Sequence, residues 1–185
     1  MELPPATELR DGHIVLRPWR LEDVPRVTQI CQDPEIVRWT LVPSPYDESD
    51  ARTWIEQTLR DWDDRAHATF AVTDGGEVVG AIGLRLHRHY SVNGSIGYWV
   101  AREARGRGVA TTALRLLARW ALEEARLPRL ELVTDPGNAP SQKVAERAGF
   151  RQEGILRSYV ERRGKREDCI IFSLLPGELE DGDPG

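Results

Sequence analysis

The run Arg105-Gly106-Arg107-Gly108-Val109-Ala110 constrains this chain more than any other stretch. It joins a strand-like apolar segment, Ser95-Ile96-Gly97-Tyr98-Trp99-Val100, to a long amphipathic pattern that begins near Gly108. Strand, glycine-rich turn and helix in that order make an anion cradle. The first N–H groups of a helix lack intrahelical partners, and the helix dipole adds partial positive charge at the same end. Glycines at 106 and 108 remove the Cβ atoms that would hold a phosphate off the backbone. Arg105 and Arg107 add side-chain charge. The expected guest is a pyrophosphate, and hence a nucleotide-tailed cofactor. An ordinary turn is the competing reading, because paired glycines are common in turns.

The surrounding pattern is that of an α/β domain. His13 to Pro18 reads as a strand with Ile14 and Leu16 on one face. Asp23 to Gln32 suits a short helix carrying Val24, Val27, Ile30 and Cys31, with Pro25 tolerated in its first turn. Asp47 is placed to cap a second helix from Glu48 to Trp62, whose buried stripe is Ala51, Trp54, Ile55, Leu59 and Trp62. Between the two helices, the aromatic, proline-marked segment Arg38 to Tyr46 is expected to be a binding loop. Strands are expected over 67–73, 77–86 and 95–100, the first two joined by Asp74-Gly75-Gly76 and the last two by a polar loop over 87–94. A helix over 108–126, a strand over 129–134 and a helix over 140–148 follow, with Gly149 as its left-handed cap. A hairpin over 150–158 and 168–174 turns through Arg163-Gly164-Lys165. The segment 1–12 and the acidic, Gly/Pro-rich tail 176–185 are expected to be loose around a domain at 13–175.

At 185 residues the chain fits one domain. A net charge of −5 argues against nucleic acid and against an anionic membrane surface as partners, although Arg102, Arg105 and Arg107 form a local basic patch. No apolar run approaches the roughly twenty residues of a membrane helix, and the start Met1-Glu2-Leu3-Pro4-Pro5 lacks a secretion signal. Cys31 and Cys169 stand far apart without metal-ligand spacing. The expectation is a cytoplasmic, reduced, metal-free protein, with a homodimer left open.

Downstream of the cradle, Asn138-Ala139-Pro140-Ser141 and Arg147-Ala148-Gly149-Phe150 supply a second signal. Together the two resemble the acetyl-CoA signature of the GNAT acyltransferases, whose cradle reads Gln/Arg-x-x-Gly-x-Gly/Ala. The matching residues are Arg105, Gly108 and Ala110, and the resemblance runs from about Ile14 to Leu175. Asn138 with Ser141, Gly154-Ile155-Leu156-Arg157, and Asp168 ahead of Ile170 to Leu175 look most like the branch that acetylates ribosomal-protein N-termini. The element order fits the fold this implies: a single α/β domain with a mixed, mostly antiparallel sheet flanked by helices.

The resemblance implies an N-acetyltransferase that uses acetyl-CoA, with a primary amine attacking directly in a ternary complex. A protein N-terminal α-amine is the favoured acceptor, a small-molecule amine the alternative, and a non-catalytic acyl-CoA-binding module the reading from another class. The N–H groups of Arg105, Gly106, Arg107, Gly108, Val109 and Ala110 would take the pyrophosphate. The pantetheine arm would lie in a split between strands 95–100 and 129–134, which a bulge at Gly97 would open; packing of Gly97 against Trp99 or a helix is the other reading. Asn138 would bond the arm, cap the helix at Pro140, or both. The Val100 N–H would face the oxyanion. Ser141 would donate a hydrogen bond to the departing thiolate, because the tyrosine that many members carry is Ala145 here; a backbone bond near the start of its helix is the other reading. The strand carboxylate that many members use as base is missing from Asn93-Gly94-Ser95. Glu103 is the nearest candidate, with an ion pair to Arg102 or Arg105 as its competing fate; water relayed by Ser95, or His87 or His89, are the alternatives. Trp39, Tyr46, Tyr90 and Tyr159 are expected to contact the acceptor, and Trp54, Trp62 and Trp120 to sit in the core.

Overall fold

The structure is a computed structural model and describes residues 2–5, 7–65, 67–88 and 92–179. Its strands are β1 (Leu9–Asp11), β2 (Ile14–Pro18), β3 (His67–Asp74), β4 (Glu77–Arg88), β5 (Val92–Val100), β6 (Leu130–Thr134), β7 (Arg151–Arg162) and β8 (Lys165–Leu174). Its helices are α1 (Val24–Ile30), α2 (Pro34–Trp39), α3 (Glu48–Asp63), α4 (Val109–Glu123) and α5 (Ala139–Arg147). Among the described residues the strands form one sheet in the order β1-β2-β3-β4-β5-β6-β8-β7. Its neighbours are antiparallel except β5 and β6, which run parallel. This is the mixed, mostly antiparallel α/β fold expected from the sequence.

Alternating apolar side chains give the sheet two buried faces. Phe70, Val72, Ile82, Leu84 and Ile96 pack with Leu114, Leu117 and Ala121 of α4. Ala71, Val78 and Ala81 point the other way and pack with Val27 and Ile30 of α1 and Ile55 of α3. Burying side chains of the larger kind stabilises by about 1.5–3 kcal/mol each. The expected cap of α3 is present: Asp47 accepts from the N–H groups of Ser49 and Asp50 at 2.8 and 3.1 Å.

Three segments differ from the sequence reading. The start of the chain is not loose over its described residues. Leu9 pairs with Leu16 across a turn at Gly12, and Leu3 is buried with its N–H on the Arg65 carbonyl at 3.1 Å. Two leucines at the open edge of the core tie it down. The tail is likewise docked as far as Leu179, which packs on the core while Glu178 pairs with Arg151 at 3.4 Å; residues 180–185 lie outside the described residues. The segment before the expected loop is helix α2, started by Asp33, which accepts from the Glu35 N–H at 2.9 Å, and by Pro34 in the first turn. That Asp-Pro-Glu start was visible in the sequence.

Two glycines in the sheet separate packing need from openness. A Cβ at Gly80 would sit 2.6 Å from the Trp99 carbonyl oxygen, whereas one at Gly97 meets nothing within 4 Å. Gly80→Ala should therefore lower the unfolding free energy by about 1–3 kcal/mol, and Gly97→Ala should change it by less than about 0.5 kcal/mol, as read from urea titrations.

Arg129 forks onto both oxygens of Glu153 at 2.9 and 2.5 Å, and Ser173 adds a bond at 2.7 Å, joining the residue ahead of β6 to β7 and β8. The Arg129 bonds, then the Ser173 bond, pull the Glu153 carboxyl down from 4.5 to about 2. A depressed carboxyl stabilises the fold above its ordinary value, and that contribution is lost as pH falls through this window. Solvent screens this half-exposed pair, so the effect is small. Urea midpoints should fall less between about pH 6 and pH 3 for Glu153→Gln than for the parent protein.

Candidate active site

The site begins where a ladder ends. β5 and β6 pair at Gly94–Leu130, Ser95–Glu131 and Ile96–Leu132, and no further. On the other side of β5, the Ala101 N–H donates to the Val79 carbonyl at 2.8 Å, and Gly80 lies opposite Val100. Bonding alternates along an antiparallel pair. The N–H and C=O groups of Tyr98 and Val100 are therefore turned toward β6, past the last rung. The strands diverge here, and two N–H groups face the gap.

The expected bulge at Gly97 is absent. The β4–β5 register runs unbroken through Gly83–Gly97, and Gly97 is exposed with open space beside it, so it packs against neither Trp99 nor a helix. The split instead accompanies the fixing of the β5 end. Arg105 Nε donates to the Val100 carbonyl at 3.1 Å, while its Nη2 pairs with Asp33 at 2.7 Å. The Val100 carbonyl is thus occupied within the protein.

The cradle lies directly beyond. Gly106 and Gly108 adopt φ of +74° and +81°, in the left-handed region that favours glycine, and a Cβ at either would meet no protein atom within 4 Å. Gly108 caps α4, and its carbonyl accepts the Thr112 N–H at 3.0 Å. The N–H groups of Val109, Ala110 and Thr111 precede that first helical bond and form the anion-attracting end of the helix. The guanidinium of Arg105, expected to add charge for a pyrophosphate, is committed to Val100 and Asp33. Arg107 pairs with Asp74 at 2.9 Å but is 57% exposed.

α5 forms the opposite wall. Asn138 caps it, its Oδ1 accepting from the Ser141 N–H at 3.3 Å. The Ser141 hydroxyl lies 2.9 Å from the phenolic oxygen of Tyr98. Burial pushes the Tyr98 phenol up to about 12, against a smaller opposing effect of the Ser141 bond. Tyr98 was missing from the sequence-based site, although its place in the strand, in phase with Ile96 and Val100, was the available signal.

Two expected site residues are corrected. Glu103 pairs with Arg26 of α1 rather than with Arg102 or Arg105. A backbone bond, then the Arg26 bond, hold its carboxyl below the usual range. Tyr46 is 8% exposed and shares a hydrogen bond with the Cys31 thiol; it belongs to the core under α1 and α3, and burial pushes both groups up. Tyr90 and His89 lie outside the described residues, and His87 is exposed.

Trp39 and Tyr159 remain at the surface. Trp39 donates to Glu35 at 3.0 Å under the Arg38 guanidinium, and a Cβ at Gly137 would sit 3.4 Å from its ring. It thus stands beside the loop that leads to Asn138. Tyr159 is 52% exposed in a bulge of β7, where Arg157, Ser158 and Tyr159 lie opposite Asp168. Asp168 fixes that bulge by accepting the Ser158 N–H at 2.7 Å. The β7–β8 turn reaches across to α2, Arg162 donating to the Arg38 carbonyl at 2.9 Å and Arg163 to that of Val37. Among the described residues no cluster of His, Cys, Asp and Glu could hold a metal, and no helix is long and apolar enough to cross a membrane.

Open strand amides beside a helix N-terminus and a hydroxyl-bearing helix suit a long acyl donor with a diphosphate tail. Residues 13–151 match the Acetyltransferase (GNAT) domain. The chain belongs to this family. It is 30% identical over 174 residues to YdaF of Bacillus subtilis (strain 168), which carries the provisional name of ribosomal N-acetyltransferase; the match covers 91% of this chain and 94% of YdaF. It is also 30% identical over 165 residues to the L-amino acid N-acetyltransferase AaaT of Escherichia coli (strain K12), covering 88% of this chain and 98% of AaaT. The structure of Mycobacterium smegmatis RimJ in complex with CoA-disulfide superposes with a TM-score of 0.84 at 25% identity, covering 94% of this chain and 88% of RimJ. The chain is thus a GNAT N-acetyltransferase, and acetyl-CoA is its acyl donor.

At Gly108 a methyl group strains the left-handed backbone and projects into space that no protein atom occupies, beside the helix N–H groups. Gly108→Ala should weaken CoA binding by tenfold or more in calorimetry. The backbone itself should lose only about 1–2 kcal/mol of stability.

Proposed function

We propose that the protein acetylates the α-amine of a protein N-terminus, the amine attacking directly in a ternary complex. The observation that carries this reading is the open end of β5, where the Tyr98 and Val100 N–H groups lie between the α4 cradle and Ser141. Acetyl-CoA supplies a thioester carbonyl and a thiol leaving group of pKa about 8.5. The Arg105 N–H, expected in the cradle, is spent on the Arg102 carbonyl at 3.3 Å; the N–H groups from Gly106 to Ala110 hold the diphosphate, with Arg107 at the rim. The backbone of Tyr98 and the side chain of Asn138 bond its arm. The Val100 N–H donates to the carbonyl oxygen as charge develops there. The Ser141 hydroxyl donates to the sulfur.

The missing base bears on the acceptor. Glu103 is paired with Arg26, and proton removal is assigned instead to solvent relayed by Ser95 and backbone carbonyls. A peptide α-amine has a pKa of about 7.7–8.0, against about 10.4 for lysine. Near neutral pH a useful fraction of α-amine is already uncharged, so a site without a dedicated carboxylate suits it better than a lysine side chain. The provisional name of YdaF, ribosomal N-acetyltransferase, supports the same choice. Trp39 and Tyr159 form the acceptor wall, joined through the Arg162 and Arg163 bonds. A free amino acid is the second reading, favoured by the equal identity to AaaT.

A panel of short peptides, their N-terminally blocked forms, free amino acids and polyamines, assayed for acetyl-CoA-dependent thiol release, separates these acceptors. Turnover is expected on unblocked peptides alone; higher kcat/KM on free amino acids would transfer the assignment to them. Ser141→Ala should lower kcat about a hundredfold and leave the KM for acetyl-CoA within about twofold.

A further inference from the structure

We propose that Tyr98 is a positioning residue that turns the Ser141 hydroxyl toward the sulfur of the bound thioester, a role that rests on the function proposed for Ser141 above. The Tyr98 hydroxyl has two acceptors in reach: Ser141 Oγ at 2.9 Å and the Ser141 carbonyl oxygen at 3.5 Å. The first is a good hydrogen bond and the second lies at the limit of one. A phenol in this half-buried place needs a partner for its O–H, and the serine oxygen is the better of the two. A serine hydroxyl has one proton and two lone pairs. When Tyr98 donates to Oγ, the serine proton is not drawn back to the phenol and is free to point outward. The pair stands beside the split, because Tyr98 carries both the phenol that meets Ser141 and a backbone N–H that lies past the last β5–β6 rung.

Neither hydroxyl has to give up its proton. Burial of the phenol opposes a tyrosinate, consistent with the upward push described above. The amine brings the protons it loses on acylation, and the departing thiolate takes one of them through solvent. The Tyr98–Ser141 pair acts by lowering the energy of the charged sulfur before that proton arrives. Two hydroxyls in series achieve this better than one, since accepting a bond makes the serine a stronger donor.

This predicts a signal in binding, independent of turnover. CoA and an analogue lacking the thiol are titrated into the protein by calorimetry across about pH 6 to 9. If the pair stabilises thiolate, CoA affinity relative to the analogue rises with pH by about tenfold, as expected for a hydrogen bond to a charged group. Tyr98→Phe and Ser141→Ala should each abolish the rise, and the double variant should lose no more than either alone. Ser141→Thr keeps a hydroxyl beside Tyr98 and should retain it. A rise that survives Tyr98→Phe, or a double variant with additive losses, overturns the role of Tyr98 while leaving Ser141 in place. A rise that survives Ser141→Ala overturns the serine role and this inference with it. Thermal melts establish that Tyr98→Phe folds. If it does not, 3-fluorotyrosine incorporation, which strengthens the phenol as donor, should enlarge the rise, and an unchanged rise overturns the proposal.

Discussion

The three-rung parallel pairing of β5 with β6 is the constraint from which the site follows. Parallel neighbours cannot be joined by a tight turn; they need a crossover, and α4 is that crossover. A crossover helix starts where its first strand finishes. The positive end of α4 is therefore placed at the same end of the sheet at which β5 and β6 part. Unpaired strand amides and unpaired helix amides converge without any side chain having to bring them together. A longer β5–β6 ladder would have closed the gap and left a turn beside an ordinary strand.

The charged residues around this gap build it more than they serve it. Arg105 fixes the carbonyl at the end of β5 and reaches to Asp33 ahead of α2. Glu103 is bound to Arg26. Each would have been a natural guess for a ligand contact or a base, since it carries charge next to a phosphate motif. What is left to meet an anion is mainly backbone, whose donors cannot shift their pKa and need no reorganisation. That suits a chemistry in which fixed dipoles meet charge only as it forms.

Much of this was legible in the sequence, for definable reasons. The glycines at 106 and 108 marked the cradle because they carry no Cβ, and both take up positive φ in the structure. Asp47, Gly75 and Gly149 marked their cap, hairpin and helix stop by the same local rules. Strand periodicity gave the sheet but not its edges: Leu3 and Leu9 looked like part of a loose start because their partners, the Arg65 carbonyl and Leu16 of β2, are fixed only once the chain has folded. Tyr46 resembled its neighbour Trp39 in a proline-marked segment, yet one is sealed against Cys31 and the other is half-open; composition carries no information on which way a loop side chain turns. Tyr98 was overlooked because a tyrosine in a central strand reads as packing. Its meaning comes from a helix that arrives 43 residues later in the chain. The bulge attributed to Gly97 was an explanation for a real opening, and the opening has a different origin.

The grip of the β7–β8 turn on α2 joins segments 124 residues apart. Arg162 and Arg163 hold carbonyls at the C-terminal end of α2, so the hairpin that carries Tyr159 and the helix that carries Trp39 are braced against each other. On the acceptor wall proposed above, a change of acceptor would then be hard to achieve by altering one flank alone. Lineages that retarget this enzyme would be expected to revise both flanks in concert, while the sheet beneath stays as it is.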